Sequence, residues 1–77
     1  MDMFKRKYQI SFTVYYNKET MRIQDEIYYL EYKDLFFLPW RKVPGSEFKT
    51  YDEVYSWAKE NLGVSPDYNH YGKEKAC

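Results

Sequence analysis

The side chains able to do covalent or metal chemistry are few. There is one histidine, His70, and one cysteine, Cys77, both close to the C-terminal end. Neither has a nucleophile, base or ligand set at a useful spacing, so no catalytic or metal-binding constellation forms. Asp52 and Glu53 make an adjacent carboxylate pair, but a helix-capping role accounts for both. Three glycines are too few for most phosphate-cradling or dinucleotide turns, and no nucleophile elbow is present. The expectation is a protein that is not an enzyme, with no catalytic residue, no metal and no cofactor, and with Cys77 an incidental thiol.

What the chain has in excess is aromatic rings. Ten Tyr, five Phe and two Trp make 22% of 77 residues. Each buried ring removes ~150–250 Å² from water, so a few of them make a small core sufficient where disulfides cannot contribute. Rings also serve recognition, because they bury much area at little entropic cost. Which rings are inside and which face a partner depends on the elements that carry them.

One helix is well signalled. Thr50 followed by Glu53 reads as a capping box, and Asp52 suits the positive end of the helix. Tyr51, Val54, Tyr55, Ala58 and Leu62 form a stripe at helical spacing, with Trp57 on its flank. Gly63 supplies a left-handed terminus, Val64 can fold back on the last turn, and Pro66 forbids continuation.

Everything before Phe48 reads as strand. Tyr8, Ile10, Phe12, Val14 and Tyr16 alternate with Gln9, Ser11, Thr13 and Tyr15. Asn17 to Thr20 reads as a hairpin loop, with Asn17 able to take positive φ. A second strand spans about Thr20 to Tyr32, with Met21, Ile23, Ile27 and Tyr29 as its apolar phase. An even loop sets Val14 across from Met21 or Ile23; a three-residue loop turns the pattern inside out. Lys33-Asp34 reads as the second turn, placing Ile27 against Trp40, Glu26 against Arg41 and Asp25 against Lys42. Pro39 makes the third strand an edge or bulged strand, so the second is central.

The expected fold is α+β: a three-stranded antiparallel meander (β-β-β) with one C-terminal helix packed on one face. Residues 1–64 form a single domain and 65–77 a mobile tail. The inner face carries Tyr8, Ile10, Phe12, Val14, Met21, Ile23, Ile27, Tyr29, Phe36, Leu38 and Trp40, with Asp25 as its blemish. The outer face then holds Tyr28, Leu30, Tyr32, Leu35 and Phe37, with Tyr15 and Arg41 nearby. Contiguous apolar surface of this kind marks an interface, so these seven are the candidate partner-binding residues. Two alternatives compete. Tyr68 and Tyr71 can fold back over the patch, or a β-bulge near Asp25 can turn part of it inward. A one-residue change of register buries the patch but exposes Ile27, Tyr29 and Trp40 instead.

Twelve basic and twelve acidic residues cancel. That balance weighs against a protein dominated by nucleic-acid phosphates. No apolar run approaches the ~20 residues of a membrane span, so no membrane is expected. The charged N-terminus, Met1 to Lys7, leads into a strand rather than a signal peptide, and a lone cysteine suits the cytoplasm. A single-stranded nucleic-acid module is an alternative, with sheet aromatics stacking on bases. A small-molecule or nucleotide-sequestering oligomer is another.

The segment Tyr28-Tyr29-Leu30-Glu31-Tyr32, through Phe36-Phe37 and Trp40 to Phe48-Lys49-Thr50-Tyr51-Asp52-Glu53, resembles small uncharacterised bacteriophage proteins. In those, a short hairpin precedes an FKT-x-x-E string and one helix. The resemblance implies an inhibitor of host machinery, including antagonists of bacterial defence. A host protein, a second copy of the chain, or both are then the expected partners, in the host cytoplasm.

Overall fold

The computed structural model describes residues 6–35 and 37–76. The expectations that fall on residues 1–5, on Phe36 and on Cys77 lie outside these residues. Strand β1 (Lys7–Tyr16) pairs antiparallel with β2 (Ile23–Lys33), and β2 with a short β3 (Arg41–Lys42). Helix α1 (Tyr51–Leu62) follows, then β4 (Asp67–Tyr68) and β5 (Lys73–Ala76), both parallel to β1 on its free side. The sheet is therefore mixed and five-stranded, with β2 between β1 and the edge strand β3. The expected three-strand meander is incomplete, and the expected tail supplies two strands.

The tail joins because β1 has an open edge and unpaired backbone groups to offer. Asn69 N–H donates to the Ile10 carbonyl at 2.9 Å. The Tyr68 ring stacks on Phe12 at 6.0 Å and meets Tyr51 edge-on at 5.0 Å. Gly72 lies so close to the Phe12 ring that a Cβ there would overlap it. That ring also packs against Tyr28, 5.7 Å away, and has little room to yield. Gly72→Ala is expected to cost about 1–3 kcal/mol by overpacking, read from the urea midpoint, with faster hydrogen exchange across β5.

The helix ends follow the sequence signals. Thr50 accepts from the Glu53 N–H at 3.3 Å and its hydroxyl donates to the Glu53 carboxylate at 3.0 Å. Gly63 takes φ 66°, and the N–H groups of Gly63 and Val64 return to Lys59 and Ala58 carbonyls. Val54 and Ala58 are fully buried, whereas Leu62 is exposed at the end of the stripe.

The strand register differs from the expected one. Tyr16 pairs with Ile23, even with odd, as an even loop requires. Tyr15, however, pairs with Asp25, so Gln24 is one extra residue in β2. From there Phe12 opposes Tyr28, Ile10 opposes Leu30 and Tyr8 opposes Tyr32. One added residue exchanges the two faces of β2, because the side-chain period is two. Leu30 thus enters the core with Ile10, Val54 and Ala58, while Ile27, Tyr29 and Trp40 move to the face away from the helix. Met21 and Ile23 are exposed rather than inner-face residues. In the loop Met21, not Asn17, takes positive φ, at 58°. The Asn17 side chain instead accepts from the Glu19 and Thr20 N–H groups.

The second connection is also longer than a two-residue turn, running from Asp34 to Trp40. Arg41 therefore pairs with Tyr32 and Lys42 with Glu31, not with Glu26 and Asp25. Beyond β3 the chain bows out and returns at Phe48, which exchanges both backbone hydrogen bonds with Tyr28 at 2.8 Å. Ser46, fully buried, fills the gap by bonding the Leu30 N–H.

Asp25 finds its partner here. Lys49 Nζ lies 2.9 and 2.8 Å from its two carboxylate oxygens and holds the carboxyl below the ordinary range, helped by the Glu26 N–H. A carboxyl lowered in the fold stabilises it above the unfolded pKa, near 4, and loses that contribution as pH falls through the folded value. The urea midpoints of the wild type and Lys49→Gln are expected to differ at neutral pH and to converge in acid, once the Asp25 carboxyl is protonated in the fold as well. An undiminished difference in acid would contradict the pairing.

Candidate functional site

Helix α1 covers the face formed by Tyr8, Ile10, Phe12, Tyr28 and Leu30, and leaves the other face open. On that open face the sheet forms a concavity of about 280 Å³. Its floor is Thr13 on β1 with Ile27 and Tyr29 on β2; Tyr15 and Trp40 line it as well. Tyr15 and Trp40 are half-buried and retain accessible edges, whereas Tyr29 is buried. Thr13 Oγ1 donates to the Tyr29 hydroxyl at 3.3 Å, which fixes the ring.

The charged groups around this floor are unevenly engaged. Glu31 is buried and accepts from the Ser11 hydroxyl and, at 3.0 Å, from the Gln9 amide. Ser11 is tied in turn to the Asn69 amide at 3.2 Å. Glu47 pairs with Lys42. Lys73 and Lys75, which also line the concavity, make no ion pair among the described residues. The helix carries exposed Asp52, Glu53 and Glu60, with Lys59 in its last turn. Among the described residues, three lysines and two carboxylates line the concavity, and both carboxylates are already engaged.

Two of the aromatic faces already hold a cation. Lys33 Nζ sits 4.9 Å from the Trp40 ring centroid and Lys42 Nζ 5.5 Å from that of Tyr29. Among the described residues no three His, Cys, Asp or Glu side chains gather into a possible metal site, and no helix is long and apolar enough to cross a membrane. His70 is exposed and meets the Tyr68 ring edge-on at 5.0 Å.

The seven residues singled out from the sequence do not form one surface. Tyr15 lines the open face. Leu30 is in the core, fully buried, and Tyr28 packs against it, both on the helix side. Burial raises the Tyr28 phenol above its ordinary pKa, with the nearby Glu26 carboxylate adding to the effect. Tyr32, paired with Tyr8 and Arg41, shares the face of Leu30 and lies under the Arg6 guanidinium at 4.5 Å. Leu35 and Phe37 lie in the connection to β3, Leu35 half-buried and Phe37 66% exposed.

Ile27, Tyr29 and Trp40 stand on the face that the one-residue change of register exposes, the alternative weighed above; the lysines of β3 and β5 beside them were missed. One signal pointed to this face: Asp25 interrupts the apolar phase of the second strand, and Glu31 follows in the same phase. Two such breaks mark that phase as the wetter face. No family model matches the chain, and neither a curated protein nor a solved structure does.

Proposed function

We propose that this is a small non-enzymatic binding protein that recognises another protein through the open face of its sheet. In the phage setting that the sequence resemblance implies, the partner is a host protein in the host cytoplasm, such as a component of a defence system. One observation supports this reading above the rest: accessible Tyr15, Ile27 and Trp40 lie on a sheet face that helix α1 does not cover, with lysines around them. Clustered aromatic edges with a polar rim are the composition of a protein-recognition patch.

Single-strand nucleic-acid binding draws less support. A stacking base needs a free ring face, and lysines already occupy those of Tyr29 and Trp40. Small-ligand sequestration draws less as well, since the concavity is at or below the ~300–1,000 Å³ of ligand pockets.

The test compares capture from bacterial lysate by the wild type and by a Tyr15→Ser, Trp40→Ser variant of matched far-UV spectrum. Retention by the wild type and loss by the variant are expected. Equal retention, or none by either, refutes the assignment.

A further inference from the structure

β5 is the outermost strand on its side of the sheet. It pairs with β1, and among the described residues no strand pairs with its other side. All four of its residues are exposed. An uncovered strand edge is a template for an incoming strand, with backbone bonds giving affinity and alternate side chains giving choice. On β5 that choice is written in charge. Lys73 and Lys75 share the open face with Thr13 and Tyr15, about 7 Å apart along the strand. Of the carboxylates on that open face, Asp25 is taken by Lys49, Glu47 by Lys42, and Glu31 by Ser11 and Gln9, while Glu74 points to the other face with Val14.

A second copy fits this edge poorly. In a two-fold antiparallel pairing, directly opposed side chains share a face. Lys73 would then meet Lys75, or one of the two would meet its own copy. Like charges directly opposite are destabilising. The same geometry favours Asp or Glu at those positions in a different chain.

We propose that the partner docks by adding an extended acidic segment to the free edge of β5, with carboxylates at alternate positions against Lys73 and Lys75. This rests on the open-face reading above and names the chemistry of its partner.

The probe is a fluorescent peptide in which Glu alternates with Thr and Val, beside a counterpart carrying Lys in place of Glu. The wild type is expected to bind the acidic peptide, more weakly as salt rises, with slowed hydrogen exchange at residues 73–76. Lys73→Glu with Lys75→Glu is expected to weaken that binding at least about tenfold and to create binding of the basic peptide. If the reversed chain does not fold, Lys73→Gln with Lys75→Gln replaces it, and weakened acidic binding is expected. Equal affinity for the two peptides, unchanged exchange at β5, or stronger binding of oligothymidylate overturns strand addition. Absent peptide binding, alongside lysate capture that depends on Tyr15 and Trp40, overturns it too and leaves the open-face reading standing.

Discussion

Leu30→Ala is expected to lower folding stability by about 2–5 kcal/mol, the largest single effect in the protein. Leu30 is fully exposed to neighbours and not at all to water, enclosed by Ile10, Val54 and Ala58 where the sheet meets the helix. Truncation removes buried methyl groups and leaves a cavity that β2, held on both edges, cannot collapse. At roughly 0.05–0.15 kcal/mol per residue, a chain of 77 residues has about 4–12 kcal/mol in total, so the variant approaches unfolding at ambient temperature. Urea denaturation reads the loss directly. Phe37→Ala is the control: at 66% exposure, a change within about 0.5 kcal/mol is expected. A Leu30 variant as mild as the Phe37 one would place Leu30 outside the core.

Ser46→Ala is expected to cost about 1–3 kcal/mol although it removes one oxygen atom. Where the chain leaves β3, the Leu30 N–H has no backbone carbonyl to bond. The Ser46 hydroxyl takes that role, accepting at 3.0 Å, while its own proton goes to the Val43 carbonyl at 2.6 Å. The Leu30 carbonyl accepts from the Val43 N–H at 2.8 Å. Ser46 is buried, so water cannot replace the lost acceptor without opening the bow. The urea midpoint should fall and the Leu30 amide should exchange faster. A neutral substitution would mean that this amide has another partner.

How much of this was legible in the sequence follows from where the information sits. The helix was readable to its caps, because Thr50, Glu53 and Gly63 act within one turn of themselves. The first strand was readable because Ile10 and Phe12 alternate with Ser11 and Thr13 without a break. The second strand was not, because it is apolar in both phases: Tyr28, Leu30 and Tyr32 in one, Ile27 and Tyr29 in the other. Its facing is decided by one inserted residue, Gln24, at the place where Asp25 breaks the apolar phase and where a bulge was weighed only as an alternative. The candidate site inherited that ambiguity, so Leu30 was assigned to the wrong face while Tyr15, on the unambiguous strand, lies on the open one. β4 and β5 were invisible for a different reason. Lys73-Glu74-Lys75-Ala76 has no apolar pattern, and its pairing draws on the vacant edge of β1 and on distant Tyr68–Phe12 contact.

The claim on which the rest depends is that the even-numbered residues of β1 and β2 face the helix and the odd-numbered ones face outward. Cross-strand proton contacts measured by NMR on the labelled chain test it most directly. The account expects contacts between Ile10 and Leu30 and between Phe12 and Tyr28, with Leu30 methyls near Val54 and Ala58. Contacts of Ile10 with Tyr29, and of Tyr29 with Val54, would contradict it.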